Sequence, residues 1–286
     1  MNRMKQLQLI KNVINLNFQR SCSSKSGEIY TSSDFQNGIR KITMCHGKTR
    51  NSLSVAMMEN LLKEIENNRD DPQLRAIVLA GDGPIFSAGH NLKELTEDCG
   101  RAQHMHIFNL CAKLMDAIVQ HPVPIIARVD GLAAAAGCQL VAQCDLAVCT
   151  EKSKFSTPGA NFGIFCSTPG IALARSVNKS TALKMLLTGE HITSDEAKSS
   201  GLVAAVTPTP EALDEEINKL CNAIRSKSRA VIELGKRFYY KQIREDLKTA
   251  YNLGGNVMVD NINGVDGKEG IKSFSEKRKP VWRHEI

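Results

Sequence analysis

Two turns in this chain combine residue types and spacing that could hold a developing negative charge. One lies within "IFSAGHNLKEL" (85–95) and the other within "GLAAAAGCQLVAQCD" (131–145), and each follows an apolar strand pattern and precedes a helical pattern. The first N–H groups of such a helix lack an intrahelical acceptor, and the helix dipole adds positive charge there. Two such turns that face each other would form an oxyanion hole. Two ordinary strand–turn–helix connections would give the same pattern.

The elements that would position these turns alternate between strand and helix patterns over the first two-thirds of the chain. Short apolar runs bounded by glycine or proline predict strands, and apolar residues at spacings of three and four predict helices. The alternation predicts an α/β layered core, followed by a largely helical remainder from residue 211. The predicted strands are 38–45, 74–83, 123–131, 145–150 and 202–206, the predicted helices are 54–71, 101–120 and 137–144, and 157–170 is predicted to be a loop.

Two of these predictions are specific enough to test residue by residue. Thr193 and Glu196 have the spacing of a capping box at the start of a helix. The helix over 101–120 is expected to turn one face inward, formed by Ile107, Leu110, Cys111, Leu114, Ile118 and Val119.

Composition excludes several classes of function. The chain has 286 residues, of which 42% are hydrophobic and 23% charged, as in ordinary globular proteins. Five basic residues and no acidic one precede Glu28, so most of the net charge of +7 lies in the N-terminal segment. The nearly balanced remainder argues against a nucleic-acid partner. No apolar run approaches the roughly 20 residues of a membrane span.

Residues 1–27 have the composition of a targeting segment. They are basic, acid-free and serine-containing, and Leu7, Ile10, Ile14 and Phe18 share one helical face. This description fits a mitochondrial transit peptide that is removed on import, which places the protein in the mitochondrial matrix. A surface helical arm is the alternative.

The nine cysteines form no CxxC pair and are odd in number. In a chain without a secretory signal, this pattern predicts reduced thiols packed in a core. No spacing matches a zinc site, so no metal is expected.

Five segments, in order along residues 36–280, are similar to motifs of the crotonase, or enoyl-CoA hydratase/isomerase, superfamily. The segments are "KTRNSLS", "IFSAGHNLKEL", "VDGLAAAAGCQLVAQCDLAV", "LLTGEHITSDEAKSSGLVAAVTP" and "SFSEKRKP". The resemblance implies a crotonase-like spiral of ββα turns over 28–220 and a C-terminal helical oligomerisation region over 221–286. It also implies a homotrimer or a dimer of trimers that binds acyl-CoA thioesters in fatty acid metabolism, with coenzyme A as part of the substrate and no separate cofactor.

The resemblance assigns site residues position by position. The two backbone N–H donors of the oxyanion hole fall on His90 and Ala136, and Ala136 replaces a usual glycine, where a Cβ restricts φ. The His90 side chain is expected to face solvent or coenzyme A. The implied coenzyme A contacts are Arg50, Ser52, Ala88, Asn91, Leu92, Lys93 and, from a neighbouring subunit, Lys277.

Both glutamates that handle water in the family's hydratases are missing. Their positions are Gln139, just inside the helix of the second turn, and Gly159, after Pro158 in the next loop. An amide is not a general base near neutral pH, and glycine has no side chain. Replacing both residues with glutamate should therefore raise hydration if the rest of the site is intact.

Three functions stay open at this point. The first is an acyl-CoA-binding protein with little or no hydratase activity. The second is an enzyme that uses the oxyanion hole for thioester hydrolysis, isomerisation or decarboxylation, and the third is a non-catalytic structural or regulatory subunit. Nearby polar residues are expected to be structural: Asp145 in hydrogen bonds, Cys166 as a buried thiol and His121 at a helix surface or end.

Overall fold

The computed structural model describes residues 30–286, and their strands form two sheets. The larger sheet has the order β1-β2-β3-β5-β7-β10, and all its neighbours are parallel except the β1–β2 pair. Its strands are β1 (Thr31–Gln36), β2 (Ile39–Met44), β3 (Ala76–Gly81), β5 (Ile125–Val129), β7 (Leu146–Thr150) and β10 (Ala205–Thr207).

The smaller sheet has the order β4-β6-β8-β9, and only β9 is antiparallel to its neighbour. Its strands are β4 (Ile85–Ser87), β6 (Leu132–Ala134), β8 (Lys154–Ser156) and β9 (His191–Thr193). Consecutive strands from β3 to β8 alternate between the two sheets, and a helix follows β4, β6 and β8. This ββα repeat confirms the α/β class and the spiral that the resemblance implied.

Helices cover the sheets and continue beyond them. The α-helices are α1 (Val55–Glu66), α2 (Gly100–Gln120), α3 (Ala136–Gln143), α4 (Ser167–Ser176), α5 (Lys179–Thr188), α6 (Ser194–Ser200), α7 (Pro210–Arg225), α8 (Arg229–Gln242), α9 (Leu247–Asn263) and α10 (Val265–Ser275). In α7, Leu213, Ile217 and Cys221 pack on the larger sheet, so the helical region beyond the sheets consists of α8–α10. None of the helices between residues 30 and 286 is long and apolar enough to cross a membrane.

The two residue-level predictions are confirmed. All six residues predicted to face inward from α2 are buried. The Thr193 hydroxyl accepts from the Glu196 N–H, and the Glu196 carboxylate accepts from the Thr193 N–H at 2.8 Å, which completes the capping box of α6.

Two element predictions need correction. Sequence analysis gave no strand before residue 38, yet β1 pairs with β2 through a turn at Asn37 and Gly38, whose φ values of 52° and 81° suit a type I′ hairpin. The predicted loop over 157–170 contains a 3₁₀ turn over Pro158–Phe162 and the first turn of α4.

The cysteine prediction is largely confirmed. Seven free thiols occur in the described part of the chain, and all but Cys99 are buried. Burial raises the pKa of Cys138 and Cys221 to about 12, so these thiols stay protonated. The prediction is wrong for Cys45, whose sulfur is in a disulfide bond. Among residues 30–286 there is no His, Cys, Asp and Glu cluster that could hold a metal, and the predicted targeting segment lies outside them.

Candidate active site

The two turns of interest meet at neighbouring strand ends of the smaller sheet. Strand β4 pairs with β6 in parallel, with Ser87 opposite Ala133, so the residues after both strands lie side by side. Gly89 has a φ of +87°, and a Cβ built on it would lie 2.8 Å from the Ala134 carbonyl oxygen and 3.1 Å from the Ala136 nitrogen. Only glycine allows this close approach of the two turns.

Both proposed backbone N–H donors, of His90 and Ala136, lie at this junction. Ala136 is the first residue of α3, so its N–H has no acceptor within the helix. In the hydrogen bonds of residues 30–286, neither the His90 N–H nor the Ala136 N–H is a donor. The adjacent groups are occupied, because the Ala135 N–H donates to the Ser156 carbonyl at 2.8 Å and the Leu53 N–H donates to the Gly89 carbonyl at 2.7 Å. The His90 and Ala136 N–H groups are therefore free donors, and hydrogen bonds of the adjacent residues hold the backbone around them in place.

The backbone restriction expected at Ala136 lies one residue earlier. Ala135 has φ 49° and ψ −120°, a region that favours glycine, whereas Ala136 begins a regular helix. The Cβ of Ala136 therefore does not strain the donor. The strain is held at the residue that turns the chain from β6 into α3.

The His90 ring is half-buried and its Nε2 has no contact with solvent, while the expected contact with coenzyme A stays a prediction. Its Nδ1 lies 3.3 Å from the Leu53 carbonyl oxygen, and its ring makes an edge contact with Phe108 of α2 at a centroid distance of 5.3 Å. Burial is the main cause that lowers the pKa of His90, so the imidazole is neutral near pH 7. With Nδ1–H donating to Leu53, Nε2 carries the lone pair.

Buried polar atoms without partners concentrate around the two turns. Within the described chain, six buried side-chain nitrogen or oxygen atoms lack a hydrogen-bond partner. Four of them belong to the two turns or directly adjoin Leu53 and Ser156, which hydrogen-bond to the turns. Such atoms are rare in folded proteins and are normally satisfied by a water molecule or a ligand. The four atoms are Ser52 Oγ, His90 Nε2, Gln139 Oε1 and Thr157 Oγ1.

Gly159 is crowded as well as lacking a side chain. The Ile164 N–H donates to the Gly159 carbonyl at 2.9 Å, which folds the loop back over this residue. A Cβ on Gly159 would overlap the Ile164 carbonyl oxygen and lie 2.7 Å from Cys166 Sγ. The space of a glutamate side chain is thus occupied, and the double replacement by glutamate predicted from sequence to raise hydration does not fit this loop.

The structure brings most of the implied coenzyme A residues together on one edge. The Ala88 N–H donates to the Arg50 carbonyl at 3.0 Å, which joins the segment over 50–54 to the first turn. Asn91 caps a 3₁₀ turn by accepting from the Lys93 N–H at 3.2 Å, and this turn exposes Leu92 and Lys93.

Lys277 lies elsewhere, just beyond the end of α10. Its backbone N–H donates to Phe274, and no hydrogen bond of the described residues connects it to either turn. The assignment of Lys277 to a neighbouring subunit's coenzyme A site stays a prediction.

The structural roles expected for Asp145 and Cys166 are confirmed. Asp145 accepts from the Ile125 N–H at 2.7 Å, from Lys236 Nζ at 2.7 Å and from the Tyr240 hydroxyl at 3.0 Å. Cys166 is buried, and burial raises the pKa of its thiol. Sequence analysis missed Lys236 and Tyr240, because their partner lies about 90 residues earlier in the chain.

The repeat of ββα units and the paired turns define the class of protein. Residues 34–285 match the family model described as enoyl-CoA hydratase/isomerase. The chain belongs to this family.

Its relatives include mitochondrial proteins of one name. Human enoyl-CoA hydratase domain-containing protein 3, mitochondrial, is 52% identical over 255 residues, which cover 89% of this chain and 84% of the relative. The Xenopus laevis protein of that name is 51% identical over 249 residues, covering 87% of this chain and 84% of the relative.

Solved structures confirm the fold. The crystal structure of human enoyl coenzyme A hydratase domain-containing protein 3 has a TM-score of 0.87 at 51% identity, covering 89% of this chain and 100% of that chain. An enoyl-CoA hydratase structure from Mycobacterium smegmatis has a TM-score of 0.86 at 42% identity, covering 89% and 99%.

Proposed function

We propose that this protein binds acyl-CoA thioesters and polarises their carbonyl group, with little or no hydratase activity. The observation that carries the proposal is the pair of unoccupied N–H donors at His90 and Ala136, held side by side by Gly89. Two such donors stabilise the negative charge that develops on a thioester oxygen when an enolate or a tetrahedral intermediate forms. The N-terminal end of α3 adds a favourable dipole at the same place.

The two positions that carry glutamate in the family's hydratases do not supply a base for hydration. The Gln139 amide cannot accept and release a proton near neutral pH. The position of the second carboxylate is occupied by the loop that folds over Gly159. Thioester polarisation is thus supported without either of the carboxylates that activate water in the family's hydratases.

A second candidate function needs only the donor pair. Decarboxylation of an acyl-CoA that carries a β-carboxylate proceeds through a thioester enolate, and it requires no base to remove a proton. The neutral side chains of His90, Gln139 and Thr157 around the turns would not repel a substrate carboxylate. The lack of a carboxylate at Gln139 and Gly159 favours such a reaction over hydration.

The cellular location and the oligomeric state of the protein are also part of the proposal. We infer a mitochondrial matrix protein of fatty acid metabolism, because the N-terminal segment has the composition of a transit peptide and the relatives are named mitochondrial. We further infer a homotrimer, because α9 has no buried residue in the single chain and, with α10, exposes large apolar side chains. The exposed residues include Leu247, Tyr251, Met258, Val259, Ile262, Ile271 and Phe274.

The test of thioester polarisation uses an enoyl-CoA whose double bond is conjugated to an aromatic ring, such as cinnamoyl-CoA. Its absorbance shifts to longer wavelength when the carbonyl is polarised. Ala136→Pro removes one donor at the first position of α3, and thermal melting shows whether the turn at Ala135 survives the substitution, because a residue before proline is restricted to extended geometry. Lys179→Pro is the matched control, since Lys179 opens α5 after the N-cap Asn178. We expect the shift with the wild type and the control, and its loss in Ala136→Pro.

Turnover is measured in parallel. The purified protein is incubated with a chain-length series of 2-enoyl-CoAs, and 3-hydroxyacyl-CoA and free coenzyme A are followed by mass spectrometry. Absence of hydration together with the absorbance shift supports the proposal. Rapid hydration would show that another group replaces both carboxylates, and absence of any shift would refute the oxyanion hole.

A further inference from the structure

The C-terminal tail, residues 276–286, folds back onto the protein after α10. The backbone N–H groups of Arg283 and His284 each donate to one carboxylate oxygen of Asp266 at 2.8 Å, and the Asp266 N–H donates to the Glu285 carbonyl at 3.2 Å. Asp266 lies in the first turn of α10 and is 1% exposed. Hydrogen bonds to an ionised carboxylate are stronger than those between neutral groups, so Asp266 holds the end of the tail against the start of α10.

The tail also joins α10 to the connection between α7 and α8. Trp282 donates from Nε1 to the Ser226 carbonyl at 2.9 Å, and a Cβ built on Gly270 of α10 would lie 3.6 Å from the Trp282 ring. Within α10 itself, Asp266 and Ser273 are the buried residues of the described chain. Because so little of α10 is buried, the contacts of the tail are a large part of what fixes this helix to its own chain.

His284 meets two arginines where the tail ends. Its Nδ1 accepts from the Arg229 N–H at 3.1 Å, at the first residue of α8, and lies 3.1 Å from Arg75 Nη1, just before β3. Its Nε2 lies against Arg75 Nη2. A neutral ring offers these donors a lone pair at Nδ1, whereas a protonated ring has an N–H at both nitrogens and adds a third positive charge.

The charged groups around His284 favour the neutral ring. Arg75 and Arg229 face it from before β3 and from α8, Asp266 faces it from α10, and Glu233 pairs with the Arg229 guanidinium at 3.0 Å. Burial, followed by the charge of Arg75, lowers the pKa of His284 from 6.5, because the charge of Asp266 does not compensate for both. The contribution of His284 to stability is therefore fully present above pH 6.5 and is lost as the pH falls.

We propose that the tail is a clasp that opens in acid, because protonation of His284 expels residues 281–286 from their contacts with Asp266 and with the α7–α8 connection. This inference goes beyond the proposed function and does not depend on thioester binding. With the clasp closed, the backbone at Lys277 is held at a φ of 52°, where the chain turns from α10 into the tail. Opening the clasp releases both α10 and this turn.

Trp282 is the only tryptophan in the sequence, so its fluorescence reports the state of the tail. The full chain is titrated from about pH 8 to about pH 5, the range in which histidines change charge. Tryptophan emission, its quenching by acrylamide and far-ultraviolet circular dichroism are recorded together. We expect a reversible shift of the emission to longer wavelength and stronger quenching, with a midpoint below pH 6.5 and with the helical signal retained.

Three variants test the assignment to His284. His284→Asn keeps a hydrogen-bond acceptor near the position of Nδ1 but does not titrate, so its emission should stay constant over the same pH range. His191→Asn, at an exposed histidine of β9, is the matched control and should show the transition of the wild type. Asp266→Asn removes the charge that holds the tail and should show the emission of the open clasp already at about pH 8.

Other results count against the clasp. An unchanged transition in His284→Asn would assign the transition to another group and overturn the proposal. Constant emission of the wild type over the whole range would overturn it too, since the tail would then stay closed with His284 protonated. Wild-type emission in Asp266→Asn at every pH would show that Asp266 does not hold the tail, with the same consequence.

Discussion

Ala135 connects β6 to α3 in a backbone conformation that an L side chain rarely adopts. Its φ of 49° and ψ of −120° are held by the hydrogen bond from its N–H to Ser156. Ala135→Gly should relieve this strain and raise the free energy of unfolding by about 1 kcal/mol, the strain minus the greater flexibility of glycine in the unfolded chain. Ala134→Gly, in regular strand geometry, is the control and should lower stability. Urea unfolding at one protein concentration measures both, and equal losses would contradict the strain.

Gly159 is the residue at which a side chain meets backbone. Gly159→Ala should lower the free energy of unfolding by about 1–3 kcal/mol, because the new Cβ overlaps the Ile164 carbonyl oxygen and crowds Cys166 Sγ. Gly235→Ala serves as the control, since a Cβ there meets nothing within 4 Å in α8 and should add up to about 1 kcal/mol. Thermal melting compares the two variants. A Gly159→Ala protein as stable as wild type would mean that the loop moves freely, and restoring a carboxylate there would become feasible.

At the scale of elements, local sequence patterns predicted the buried strands and helices around the two turns and missed the exposed strand β1. The strands and helices around the two turns were predictable because their apolar residues are close in sequence and enter one core. Strand β1 has no buried residue, so it carries no alternating pattern. The start of α4 was missed because Pro169 and Gly170 are typical of loops, although proline is accepted in the first turn of a helix.

The candidate site shows the same limit of prediction from local sequence patterns more clearly. Its donors were predictable because they belong to two continuous motifs. Thr157 joins Gln139 only through the β6–β8 pairing, and His90 contacts Phe108 only because α2 packs over the first turn. Contacts of this kind come from strand order and helix packing, and no local pattern in one sequence contains them.

A buried ion pair connects helix α8 to the core: Lys236 lies in α8, and Asp145 lies between α3 and β7. Lys236 donates from Nζ to the Ile118 and Val123 carbonyls and to Asp145. Lys236→Met should lower the free energy of unfolding by about 3–5 kcal/mol, because it leaves the Asp145 carboxylate buried without its cation. Lys241→Met changes an exposed lysine of the same helix and should have little effect. Denaturant unfolding tests the pair, and similar stability of both variants would show that Asp145 does not depend on Lys236.

The end of α2 makes this region sensitive to acid. Burial, followed by the charge of Lys236, lowers the pKa of His121 from 6.5 to about 4. Between these two pH values the unfolded chain therefore binds a proton at His121 more readily than the folded chain does. The contribution of His121 to stability is fully present above pH 6.5 and is lost as the pH falls toward 4. His121→Asn should remove a loss on the order of 3 kcal/mol from this pH range. Parallel slopes of unfolding free energy against pH in both proteins would exclude His121 as the cause.

For the molecule as a whole, α9 and α10 are the feature that a single chain leaves unexplained. A 17-residue helix without a buried residue gains little stability from its own chain. Its exposed apolar side chains therefore require a partner surface, and identical copies of the chain offer one by symmetry. If the chains associate as the family resemblance implies, we expect Lys277 of one chain to lie near the first turn of another.

The oligomer is tested by light scattering coupled to size-exclusion chromatography. The wild type should elute with three or six times the mass of one chain. Replacing Met258 and Val259 together with glutamate places two charges on the exposed face of α9 and should give monomers with reduced thermal stability. Lys63→Glu, at an exposed charged residue of α1, is the control and should leave the mass unchanged. If the wild type is monomeric, or if the α9 variant keeps the mass of the wild type, the helical region does not join the chains, and any coenzyme A site must be built without Lys277 of a neighbour.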